Sequence, residues 1–383
     1  MTMLMGLGVK KHIIPHEKNQ FQKGFSLNTG NLLFNFASEL IADLEPEIIP
    51  WGMNAKVINK KTDSVLLPMA NHVGKHVDLS EKGPRIGEID GTVVALGLGA
   101  QFELSGHSLD DIPKGTIDWI DTLISKSSVI NIGVRGNYTK KVLTDLGFGD
   151  DIVVTGCPSL FINPSKNLGS DLYNKYLSTD KNKKLNKLAI AAGNPFKKDG
   201  STIERYFIGL VNKYDANYII QHPLALIALA SGWEDEISDR NKSVIKDRWF
   251  PSISESAMKE WFERKTSVYV SVPQWIYDVS RADFCVGTRI HGAQASIQAG
   301  TPAVCVYIDS RTKELCEFMN IPHIGLHQVS NHEGDIMDLL FSVFEEWDWA
   351  AFDVNRINLA NKMIDFLESN KINTTSHLKN LAY

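Results

Sequence analysis

Two basic side chains spaced for chemistry stand out in the stretch Arg281-Ala-Asp-Phe-Cys-Val-Gly-Thr-Arg-Ile-His-Gly-Ala-Gln-Ala. A strand is expected to end at Gly287 and Thr288 to cap a helix, with Arg289 and His291 in or just before its first turn. In parallel α/β sheets ligands gather outside the carboxyl ends of strands. Free N–H groups and the dipole at a helix start favour an anion there. Arg289 could hold a carboxylate or phosphate through two parallel hydrogen bonds, and His291 supplies a side chain that ordinarily titrates near neutral pH. The same pattern also suits a plainer arrangement, with Arg289 paired to a carboxylate and His291 a satisfied helix-start residue.

Two further arginines occupy comparable places. Arg135 follows the strand-like run 129–134, and Arg311 follows Tyr307-Ile-Asp-Ser at the end of the run Ala303–Val306. Each alone reads as structural; three guanidiniums at strand exits point to an anion-lined crevice. In Asn28-Thr-Gly-Asn31, Gly30 would tolerate positive φ and could bring backbone amides close to a ligand, although a simple turn is the default. Gly97-Leu-Gly99 lacks the later glycine of a dinucleotide fingerprint, and neither a phosphate-binding G-x-x-x-x-G-K-[ST] loop nor a G-x-S-x-G elbow occurs. His72/His76 and His323/His327 have one-face helical spacing, but each pair encloses a glycine; both read as loop histidines, and no metal site is expected. Trp233, Trp249, Phe250, Trp261 and Trp275 read as core or loop anchors, an exposed one being able to stack on a sugar ring.

These candidates need a scaffold of alternating strands and helices. Strands are expected at 92–99, 129–136 and 151–156, with helices at Ile117–Ile124 and Tyr138–Leu146. After a polar stretch from Asn167 to Lys187, read as a solvated domain connection, the alternation restarts. Strands are expected at Leu188–Ala192, Tyr218–Gln221, Ser267–Val272, Phe284–Gly287 and Ala303–Tyr307, with helices between them and two more near 335–347 and 355–369. Such strand–helix–strand runs are the mark of parallel βαβ units. The expected fold class is therefore α/β, with two Rossmann-like domains facing a central cleft. Residues 1–183 would form the first domain, 184–350 the second, and 351–383 a C-terminal helical segment able to cross back to the first. Ser26–Leu44 reads as a turn opening an amphipathic helix, whereas residues 50–90 give no ordered pattern.

Composition bounds the function. Forty basic against 45 acidic residues give a formal charge of −5, which argues against a nucleic-acid binder. No apolar run is long enough to cross a bilayer, and Met1–Lys11 lacks the features of a secretion signal. A cytoplasmic protein is expected. Its four cysteines form no C-x-x-C pair; Cys285 and Cys305 fall in apolar strand runs and read as buried thiols.

Taken together, Asn28–Asn31, Gly133–Gly136, Thr155–Ser159, Gly287–Gly292 and Gly300–Arg311 resemble the polysaccharide pyruvyl transferase family, in order over roughly residues 25–330. The resemblance implies an arrangement like that of two-Rossmann-domain (GT-B) glycosyltransferases. It also implies transfer of the enolpyruvyl group of phosphoenolpyruvate onto two hydroxyls of a sugar, giving a pyruvate ketal in polysaccharide biosynthesis, with no other cofactor. The family's Arg-x-His motif falls on Arg289 and His291, the implied catalytic pair. Tyr307 and Arg311 match its tyrosine and basic residue after the next strand, with arginine here where lysine is common. The implied donor set is Arg289, His291, Thr288, Arg135, Tyr307 and Arg311; the implied acceptor-glycan set is Asn28, Gly30 and Asn31. A lipid-linked acceptor would bring the protein to the inner face of the membrane as a peripheral partner. Two other readings fit the same scaffold: a glycosyltransferase using a nucleotide sugar, and a non-catalytic protein that binds a glycan or an anionic metabolite.

Overall fold

A computed structural model of the chain describes residues 1–6, 21, 28–102, 106–179, 185 and 187–383. Two six-stranded sheets, parallel throughout, organise it. The first contains β1 (Thr2–Gly6), β2 (Ile49–Pro50), β3 (Ser64–Pro68), β4 (Thr92–Leu98), β5 (Ile132–Val134) and β6 (Ile152–Val154), in the order β2-β1-β3-β4-β5-β6. The second contains β7 (Lys187–Ala191), β8 (Asp215–Ile219), β9 (Thr266–Ser267), β10 (Phe284–Gly287), β11 (Ala303–Tyr307) and β12 (His323–Gly325), in the order β12-β11-β10-β7-β8-β9.

Both orders reverse direction inside the sheet, between β1 and β3 in the first and between β7 and β10 in the second. Such a reversal opens a crevice at the carboxyl ends of the strands. β3 is buried along its whole length, as are β4 after its first residue and β10, the burial expected of parallel strands covered by helices on both faces. Cys285 and Cys305 lie on adjacent strands with their thiols buried, and Trp249, Phe250 and Trp275 are buried core anchors. Among the described residues no helix is long and apolar enough to cross a membrane.

Several local expectations are corrected. The polar stretch after Asn167 holds the helix Leu168–Ser178, which buries Leu168, Leu172 and Tyr176 at four-residue spacing; one apolar residue per turn is enough when the rest faces water. The strand expected at Ser267–Val272 shrinks to β9, because the Ser271 side chain accepts a hydrogen bond from the Gln274 N–H and caps the helix Val272–Ser280. The run 129–136 is strand only at β5, with Val129 and Ile130 exposed. His323 lies on β12 and His327 in the helix Leu326–Ser330, so that pair does not share one loop.

The C-terminal segment does cross back. The helix Trp349–Ser369 packs on Leu168–Ser178 and on the short turn Pro158–Phe161, while the helix Ser376–Ala382 packs on Gly30–Ile41. Asp353 clamps the first junction: its two carboxylate oxygens accept the N–H groups of Gly169 (2.7 Å) and Ser170 (3.2 Å). The helix Gly30–Ile41 also touches the helix Ile290–Gln298 of the second lobe. It is one of the bridges between the two halves.

Candidate active site

The strand ends of both sheets face one cleft of about 520 Å³, within the usual size range of small-molecule sites, about 300–1,000 Å³. Arg289, Thr288 and His291 reach it from the end of β10, His222 from β8, Asp309 and Arg311 from β11, and Asn194 and Lys197 from β7. The first lobe contributes Asn71, His72 and His76 after β3, Gln101 after β4 and Arg135 after β5. Asn28 and Asn31 complete the lining.

The β10 exit is built by close approach. Gly287 has φ 157°, and a Cβ there would collide with the backbone of Ala191 on β7; only glycine lets the two strands meet. Thr288 is not the helix cap expected for it. Its hydroxyl donates to Glu204 Oε1 at 2.7 Å, and Arg289 occupies the cap position of Ile290–Gln298. Glu204 is buried and accepts a second hydrogen bond from the Tyr218 hydroxyl at 2.5 Å. Burial raises its pKa above the ordinary value, against the pull of these bonds and of Arg289.

Arg289 donates through Nη2 to His222 Nδ1 at 3.1 Å and to the His222 carbonyl at 3.3 Å. Burial first, then Arg289 and Arg311, push the His222 pKa down to about 4, so its ring is neutral. With Nδ1 accepting, the proton resides on Nε2. Arg289 is itself lowered to about 10 by burial and by Arg311, the charges of Glu204 and Asp309 opposing.

Arg135 is fully enclosed. Its guanidinium donates to the Gly97 carbonyl (2.7 Å), Asn71 Oδ1 (2.8 Å) and the Met69 carbonyl (3.0 Å). It is thus both a strut tying β5 to β3 and β4 and a positive wall of the cleft. Arg311 lies 3.5 Å from Asp309 Oδ2, and the other Asp309 oxygen is occupied by the Thr312 N–H and hydroxyl.

His291 is buried beside Phe34, with ring centroids 5.7 Å apart. Burial, followed by Arg135, Arg311 and Arg289, holds its pKa well below the ordinary value. Burial and three guanidiniums thus favour the neutral His291 ring, against the expectation of an imidazole titrating near neutral pH. Its Nε2 and the Nε of Arg311 are buried without a hydrogen-bond partner among the described residues. Buried polar atoms are seldom left so, and both belong to residues that line the cleft.

Two candidates fall elsewhere. Tyr307 turns towards β12, its ring 5.7 Å from that of His323, and does not line the cleft. Gly30 does not have positive φ. Its service is to let the lobes meet: a Cβ there would lie 2.6 Å from Gln221 Oε1 and 3.2 Å from His291 Nδ1. The turn is anchored by the Thr29 N–H donating to the Gln221 carbonyl at 3.0 Å, so Asn28 and Asn31 stand in the same cleft as the arginines.

Sequence reading missed Glu204, His222, Asn71 and Lys197. Only His222-Pro223, at the end of an expected strand, carried a local signal. Among the described residues no group of three or more His, Cys, Asp or Glu side chains is placed to hold a metal ion.

Comparison with known proteins gives the following. The chain is similar over 96% of its length, and 96% of theirs, to a Staphylococcus aureus MnaA structure with UDP (11% identity, TM-score 0.45). It is similar to the UDP-GlcNAc 2-epimerase of Methanocaldococcus jannaschii over 92% and 90% of the two chains (12% identity, TM-score 0.44). A third similarity is to the Rickettsia bellii UDP-N-acetylglucosamine 2-epimerase, over 82% and 76% (11% identity, TM-score 0.42). No curated protein matches. The polysaccharide pyruvyl transferase profile matches residues 88–310, more than half of the chain and the part that carries Arg135, Arg289 and His291. By that match, this chain belongs to the polysaccharide pyruvyl transferase family.

Proposed function

We propose that the protein transfers the pyruvyl group of phosphoenolpyruvate to two hydroxyls of a glycan sugar, forming a ketal and releasing phosphate. The observation that carries this reading is the charge of the cleft. Arg135, Arg289, Arg311 and Lys197 line it against one carboxylate, Asp309, which is already engaged by Arg311 and Thr312. A small donor bearing both a carboxylate and a phosphate suits such a wall.

The donor's charge also changes the imidazole. When the donor offsets the guanidiniums that hold His291 neutral, one cause of its lowered pKa is removed and the ring can take up a proton. His291 then delivers that proton to the methylene carbon of phosphoenolpyruvate, leaving a cation at C2. A sugar hydroxyl adds to C2 and gives its proton to the now neutral imidazole. The phosphate departs with its bonding electron pair, its charge spread over Arg289 and Arg311. The second hydroxyl adds to the restored cation and gives its proton to the departed phosphate, closing the ketal ring. One phosphoenolpyruvate and one diol give one ketal and one phosphate.

The test is incubation of the purified protein with phosphoenolpyruvate and a panel of saccharides, reading phosphate release and a sugar mass increased by pyruvate less water. Both signals are expected together. Tight binding of a nucleoside diphosphate, with no binding of phosphoenolpyruvate by calorimetry, would overturn the reading in favour of a nucleotide-sugar transferase.

A further inference from the structure

The cleft continues past the arginines. Its wall of His76, Gln101, Lys197 and Asp309 is shared with a second hollow of about 420 Å³, reached without leaving the seam between the lobes. The first lobe supplies Lys75, Phe102 and Asp111 to this hollow, and the second supplies Asp199 beside Lys197.

Its chemistry differs from that of the cleft. Asp309 is engaged by Arg311 and Thr312. Among the described residues that leaves two carboxylates, Asp111 and Asp199, against two ammoniums, Lys75 and Lys197: a balanced set where the cleft is strongly positive. Lys197 also attracts Asp309, and all four side chains line the hollow, where they can offer donors and acceptors to a ligand. Carboxylates accept from hydroxyls and ammoniums donate to them, the complement that a polyol presents. A second anion would meet two carboxylates for every two lysines and gain little. Phe102 adds an apolar patch. Its backbone is pinned across the seam: the Ser310 hydroxyl donates to the Phe102 carbonyl at 2.8 Å, and the Phe102 N–H donates back at 3.4 Å.

We infer that this hollow is a saccharide subsite, holding an uncharged sugar residue adjacent to the one being ketalised. The acceptor is then an uncharged oligosaccharide segment of at least two residues. This inference rests on the pyruvyl-transfer reading. It also separates the two substrates differently from the sequence expectation, because Asn28 and Asn31 belong to the charged cleft and the acceptor's remaining length lies on the Lys75–Asp199 side.

The experiment uses the full chain, phosphoenolpyruvate and matched acceptors: methyl hexosides of glucose, galactose and mannose, with the corresponding methyl di- and trisaccharides. Phosphate release and product mass are followed. The di- or trisaccharide of the reacting series is expected to exceed its one-residue partner about tenfold in kcat/KM. Asp111→Asn and Asp199→Asn are each expected to erase most of that preference by raising the acceptor KM, with the phosphoenolpyruvate KM moving less than about twofold. Turnover with equal kcat/KM across lengths, or a preference untouched by both substitutions, overturns the subsite while leaving pyruvyl transfer standing. If phosphoenolpyruvate neither binds nor turns over, both fail. If it binds without turnover, saturation-transfer NMR on the same saccharides decides: binding that depends on the second residue and is lost in the double variant supports the subsite, and its absence overturns it.

Discussion

Glu314, on the second lobe's helix Ser310–Phe318, caps a helix of the first lobe through Thr139: one carboxylate oxygen accepts the Thr139 N–H at 2.6 Å, the other its hydroxyl at 2.9 Å. Thr139 lies in the first turn of Asn137–Asp145, directly after Arg135 and Gly136. The anion at this helix start is thus the protein's own, supplied across the seam. A side chain at position 136 would collide with it, which explains why the strand leaves through a glycine. Glu314→Ala leaves a buried N–H and hydroxyl without acceptors and is expected to cost about 1–3 kcal/mol. Urea denaturation should show that loss, with Glu314→Gln, which can still accept from the N–H, losing less than half as much.

His222 fixes where Arg289 points. His222→Ala removes the acceptor on a buried charged donor, and the phosphoenolpyruvate KM is expected to rise about tenfold or more. His222→Gln, whose amide oxygen can replace Nδ1, should recover most of it. Steady-state kinetics on the two variants give the answer; equal KM values in His222→Ala and the parent would remove His222 from donor binding.

Donor binding is expected to take up a proton. Burial, and after it Arg135, Arg311 and Arg289, hold the His291 pKa well below the ordinary value, and a bound donor would offset the arginines. Affinity should therefore strengthen as pH falls through the pKa of the complex, by up to about tenfold per pH unit. Measurements above about pH 7 stay clear of the donor phosphate's own second ionisation, near 6. Calorimetry in two buffers of different ionisation enthalpy reads the proton directly, and His291→Asn should abolish the uptake.

Acid should loosen the fold for a related reason. His72 is lowered to about 3, mainly by burial and then by Lys82 and Arg135, and His222 to about 4. A histidine with a depressed native pKa stabilises fully above about pH 6.5, where the unfolded chain is also neutral. Below that value the unfolded state gains protons that the native state refuses, at about 1.4 kcal/mol per pH unit per histidine. His72 Nδ1 accepts the Ala70 N–H at 3.1 Å, a bond that asparagine can imitate. The urea midpoint of His72→Asn should accordingly fall less between pH 7.5 and 5.5 than that of the parent. The raised carboxyls of Glu204 and Glu314 act in the opposite sense, and cancel in this comparison.

Gly30→Ala tests the meeting of the lobes. Alanine favours the helix that starts there by up to about 1 kcal/mol, yet its Cβ would press on Gln221 and His291. Thermal stability near that of the parent with kcat lowered about tenfold or more is expected, since small displacements of a reacting group are costly. Unchanged kcat would show that Gly30 has no part in placing the imidazole.

Arg135, Arg289, Arg311 and His291 could be picked from the sequence, and the βαβ alternation that carries them could be read from residue 92 onward, because buried parallel strands are short apolar runs separated by helical periods. That information is local: each strand exit announces a basic residue. Local pattern does not carry the sheet orders that bring seven strand exits from two lobes to one cleft. Nor does it carry the Glu204–Thr288 and Glu314–Thr139 bonds, whose partners lie 84 and 175 positions apart. The protonation of His291 was the clearest loss. A histidine's residue type sets its ordinary pKa, but desolvation and three guanidiniums drawn from distant strands set the one it has, and these exist only once the chain is folded.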